Sequence, residues 1–152
     1  MNEQETTTMN EQELFRSKAE NYLICLSDHC PRHEECLRWQ VGRYAPTDTY
    51  MLSIINPRNP MTGDGSCNMF RQREKVTVYY GMTHFYDDIP EPKAKAIRHA
   101  LERKLNRTAY YKYRGSERPI TPAVVKTIEE TVRLNGWQGA LKFDREDEDY
   151  DW

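Results

Sequence analysis

The placement of cysteine constrains this chain more than any other feature. Cys25, Cys30 and Cys36 fall within twelve residues, and Cys67 follows after thirty more. His29 and His33 stand between the first three. Structural zinc takes four thiolate or imidazole ligands in a closed tetrahedron. The pattern Cys-x4-Cys-x5-Cys with one distant Cys supplies four thiols and leaves none over. Cys25, Cys30, Cys36 and Cys67 are therefore expected to hold a structural zinc ion, with His29 and His33 as alternates for any one cysteine. The spacing is looser than the paired Cys-x2-Cys knuckles of a zinc ribbon. The competing reading is that the thiols are small apolar core groups and the histidines are solvated. An iron–sulfur cluster also accepts four thiolates, but no ferredoxin spacing occurs, which ranks it below zinc.

Composition sets the frame for that site. The chain has 152 residues, of which 38% are hydrophobic and 30% charged, so its core is modest and a metal staple has something to contribute. No run of eighteen apolar residues occurs, so no membrane contact is expected. The start, Met1-Asn-Glu-Gln-Glu-Thr-Thr-Thr, lacks the basic and apolar regions of a secretory signal. A cytoplasmic protein with reduced thiols is expected. Residues 1–10 are polar and read as a disordered tail. Residues 11–152 read as a single zinc-stapled domain.

Periodicity divides the remainder. Leu14, Phe15, Ala19, Tyr22 and Leu23 share a helical face over 11–23, and a short helix is expected from Cys36 to Tyr44, ended by Pro46. Thr49–Ile55 is rich in β-formers and reads as a largely buried strand. The turn formers of 56–66 make a loop. Val76, Val78 and Tyr80 alternate over Lys75–Gly81, a second strand. Ala94, Ile97, Leu101 and Leu105 predict a helix over Glu91–Leu105. The stretch 108–114 fits a helix or a strand, and the reading favours a helical end stopped at Gly115. Thr121-Pro122 begins the last helix and Asn135-Gly136 ends it. The class is α+β: a small sheet, a cysteine-bound metal site and a helical C-terminal half.

Charge is unevenly placed. Residues 93–133 hold eleven Lys/Arg against four Glu, while 144–152 hold six acids and one Arg. Within the basic stretch Arg103, Arg107, Tyr111, Arg114 and Arg118 interleave cations with aromatics, as nucleic-acid surfaces do. The competing reading is a solvated helical face over buried tyrosines. In the acidic end, Phe143, Tyr150 and Trp152 predict that the segment folds back onto the protein. No nucleophile–base set, phosphate-cradling glycine loop or metalloprotease helix is present, so the reading leans away from an enzyme.

Cys25-x4-Cys30-Pro31 with Cys36-Leu37-Arg38, then Asn56-Pro57, Cys67, Tyr110-Tyr111-x-x-Arg114-Gly115-x-x-Arg118-Pro119 and the closing Tyr150-Asp151-Trp152 resemble an uncharacterised family. It comprises small intracellular proteins of gut anaerobic bacteria, a domain of unknown function. The resemblance spans about residues 20–152. It implies one intracellular domain built on the four cysteines, and no activity. The expected function is a non-catalytic zinc-binding module that binds a protein partner or regulates one. The alternative is a nucleic-acid-binding protein using 98–118, and a weaker one is a small metal-dependent hydrolase.

Overall fold

The computed structural model describes the backbone of residues 3–152 and the side chains of 11–152. Of the tail expected over 1–10, residues 1 and 2 lie outside the described residues, and the backbone of 3–10 forms the start of the first helix. The elements run α1 (Glu3–Ala19), α2 (Leu37–Gly42), β1 (Lys75–Tyr80), α3 (Glu91–Lys104), α4 (Arg107–Arg114), α5 (Pro122–Leu134) and β2 (Arg145–Tyr150). A single 3-10 turn, His33–Glu35, precedes α2. The fold is α+β with a two-stranded antiparallel sheet. None of the described helices is long and apolar enough to cross a membrane.

The chain divides into two compact units, residues 1–74 with Trp152, and residues 75–151. In the first, Phe15, Ala19, Ile24, Leu37 and Val41 are fully buried between α1, α2 and the segment that joins them. Phe15 and Ala19 lie one helical turn apart, which puts both on the inner face of α1. Trp152 adds an edge-on ring to Tyr22 at 5.4 Å and to Phe15 at 6.3 Å, beneath the Lys18 ammonium at 4.8 Å.

Thr49–Ile55 is not the buried strand its composition predicts. It makes one parallel bridge, Ile24 with Ile54, through Ile24 N–H to Ser53 O at 3.0 Å and Ile55 N–H to Ile24 O at 2.9 Å. Tyr50 and Met51 are fully or largely exposed. β-formers need a partner ladder on which to pack, and here the pairing ends after one bridge.

The second unit is built as its periodicity predicts. Ile97 and Leu101 of α3, Tyr110 and Tyr113 of α4, and Ile128 and Val132 of α5 share one core with Met82, Phe85 and Ile120. Thr121 occupies the N-cap of α5 without a side-chain capping bond, and Pro122 opens the helix. β1 pairs with β2 from Lys75 opposite Tyr150 to Tyr80 opposite Arg145. The acidic end is therefore a strand, with Tyr150 buried at its close. Tyr79 also exchanges two backbone hydrogen bonds with Ile120, at 3.0 and 2.7 Å.

A candidate thiol site and a basic cleft

The local structure around the cysteines is a set of turns tied together by backbone bonds. Cys25 N–H donates to Arg38 O at 3.1 Å, which lays the Cys25 segment along α2. Gly42 is required there, because a Cβ would collide with the Cys25 carbonyl. Cys30 N–H closes a turn on Ser27 O at 3.3 Å, and His33 N–H closes the next on Cys30 O at 3.1 Å. Cys36 caps α2 in extended conformation and bridges Gln72. Phe70 N–H returns to Cys67 O at 3.3 Å.

These turns bring all four cysteines to one small cavity. Cys25, Cys30, Cys36 and Cys67 border it, with His33, Trp39 and Phe70 among the other lining groups. Its volume is about 20 Å³, room for one water-sized occupant. All four cysteines are free; Cys36 is buried and the other three are half-buried. Among the described residues, no group of three or more His, Cys, Asp or Glu side chains is already spaced to hold a metal ion. A cysteine-bound metal site is thus not shown, although the four expected residues converge.

The two alternate histidines differ. His33 lines the cavity, and its Nδ1 lies 2.6 Å from Cys30 O. A carbonyl only accepts, so Nδ1 is the donor in this contact. The His33 ring meets Trp39 at 4.4 Å, and Trp39 Nε1–H donates to Asp28 at 2.9 Å. His29 is not among the lining residues; its ring lies against Gly63, whose positive φ of 90° disfavours any residue with a side chain.

Sequence reasoning missed Arg38. Its guanidinium is buried and donates from Nε to Met69 O at 2.7 Å and from Nη1 to Leu23 O at 2.8 Å, over the Tyr22 ring. It joins the segments that carry Cys25, Cys36 and Cys67. A buried charge between two apolar residues, Leu37 and Trp39, was the available signal. Just before Cys67, Asp64 accepts from Ser66 Oγ at 2.6 Å and from Ser66 N–H at 2.8 Å. Those bonds, the side-chain one first, hold its carboxyl below the usual carboxylate range.

The basic stretch separates. Tyr110 and Tyr113 are core, and Tyr111 is 43% exposed. Arg103 and Arg107 border one open cleft with His99 and Glu102. Arg114 is half-buried and does not border it; Arg118 is exposed and lies over the Tyr113 ring at 5.7 Å. Burial, then the hydrogen bond shared with the Tyr110 hydroxyl, raises the Tyr86 hydroxyl far above an ordinary tyrosine.

A family model described as "Family of unknown function (DUF6078)" matches residues 8–152. No curated protein and no solved structure matches the chain.

Proposed function

The chain belongs to the DUF6078 family, whose function is unknown, and we propose that it is a non-catalytic module stapled by one zinc ion on Cys25, Cys30, Cys36 and Cys67, which binds a protein partner or regulates one. The observation that carries this reading is that four free cysteines, one on the segment laid beside α2, two at turns and one at a helix cap, line a single small cavity. Zinc displaces thiol protons as it binds, and its bonds of about 2.3 Å draw the sulfurs inward. His33 stands beside the four as the replacement ligand. Leu26, Tyr50, Met51, Ile54 and Met61, all exposed in the same unit, supply apolar surface for a partner.

Elemental analysis of protein purified without added metal tests the site, together with thiol counting before and after chelation. The expected result is one zinc per chain and thiols that react only once the metal is removed. Substoichiometric metal, with four thiols reactive in the native protein, would overturn the reading.

A further inference from the structure

Away from the thiols, the second unit holds an open cleft of about 420 Å³. His99, Glu102 and Arg103 border it from α3, where a spacing of three and four residues gives them a common face. Arg107 borders it from the first turn of α4. Asn106 sets that turn: it holds φ at +67° and its side chain accepts from Thr108 N–H at 2.9 Å.

Both guanidiniums are exposed, and among the described residues neither has an ion-pair partner. Glu102 accepts from the Tyr111 hydroxyl at 3.1 Å. The Arg107 guanidinium lies 5.9 Å from the centre of the Tyr111 ring, which meets the Tyr110 ring edge-on at 5.2 Å and is 43% exposed. Unpaired guanidiniums on a concave surface are donors in search of a phosphate or carboxylate. Two guanidiniums against one carboxylate leave one net positive charge when His99 is neutral. That matches a phosphodiester, with one negative charge, and not a phosphomonoester dianion. An exposed aromatic face beside the cations stacks a base only if the base is unpaired.

We propose that this cleft seats one backbone phosphate of a single-stranded nucleic acid, held by Arg103 and Arg107, with the neighbouring base stacked on Tyr111. His99 adds a donor to the phosphate oxygens. Glu102 fixes the tyrosine and sets the charge of the cleft.

The test is fluorescence anisotropy of the full chain with labelled oligouridylate and oligothymidylate of about fifteen nucleotides, over a salt series. Binding is expected to weaken as salt rises. Arg103→Gln with Arg107→Gln should weaken it about tenfold or more and flatten the log–log salt slope by about one. Tyr111→Ala should weaken it about fivefold or more, and Glu102→Gln, which removes the opposing charge, should tighten it. Lys126→Gln, which removes one positive charge at an exposed site of α5, should leave it unaltered. All are exposed positions except Glu102, which is half-buried, and unchanged circular dichroism verifies the fold. Absence of salt-sensitive binding would overturn the proposal, as would a double variant that binds like the parent. Tight binding of inorganic phosphate with no binding of either strand would assign the cleft to small phosphomonoesters and overturn it as well.

Discussion

Arg38 Nε donates to the Met69 carbonyl at 2.7 Å, and through that bond the helix after Cys36 is tied to the loop that carries Cys67. The same guanidinium reaches Leu23 O at 2.8 Å, two residues before Cys25. One buried cation therefore sets the spacing of three of the four cysteine-bearing segments. Backbone carbonyls satisfy it where a carboxylate would ordinarily be required.

Arg38→Ala is expected to destabilise the first unit by about 2–4 kcal/mol, because two carbonyls lose a charged donor inside the protein. Arg38→Lys should not restore it, since one ammonium lacks the planar fork that spans both carbonyls. Urea unfolding followed by Trp39 fluorescence measures both. A parental midpoint for Arg38→Ala would refute the role.

Cys36→Ser is expected to abolish stoichiometric zinc and loosen the first unit. Structural zinc contributes on the order of 10 kcal/mol to small domains, comparable to a domain's whole stability. His33→Ala, which leaves four thiols, should retain the metal. Zinc content and protease sensitivity read the two outcomes, and retention of zinc by Cys36→Ser would exclude the cysteine as a ligand.

Asp144 links stability to pH. Thr83 Oγ1 donates to it at 2.6 Å and Thr83 N–H at 3.0 Å. These bonds, the side-chain one first, hold its carboxyl below the usual range. A depressed folded-state value means that the stabilisation is present above the unfolded carboxyl's pKa, near 3.9. It is lost as pH falls through the lower folded value. Asp144→Asn should lower the melting temperature by a few degrees at pH 7, with the difference closing in strong acid. A difference that persists at pH 2 would mean that the charge is not responsible.

Removal of Trp152 is expected to cost about 1–2 kcal/mol, through loss of its edge contacts with Phe15 and Tyr22 and of the Lys18 cation–π contact. Thermal melting of the chain ending at Asp151 measures it. An unchanged melt, with protease resistance intact, would show that the residue adds nothing.

Helices α3 and α5 are legible in the sequence because their signals are local, whereas the stretch that forms α4 fits a helix or a strand. Ala94, Ile97 and Leu101 repeat at helical spacing, Gly115 follows α4, and Asn135-Gly136 ends α5. Alternating Val76, Val78 and Tyr80 likewise marked β1. The cysteine set was legible as a pattern, and the fold brings all four to one cavity. Partner-dependent structure was not legible. Thr49–Ile55 has strong β-formers and pairs at a single bridge, whereas Arg-Glu-Asp-Glu-Asp-Tyr, poor in β-formers, is a full strand because β1 lies beside it. Strand formation is decided by the neighbour that supplies hydrogen bonds and packing, and no local stretch encodes that neighbour. The same holds for Arg38, whose two carbonyl partners lie fifteen and thirty-one residues away in sequence. Helical periodicity and caps are written in consecutive residues; the pairing of distant backbone groups is settled only when the chain closes on itself.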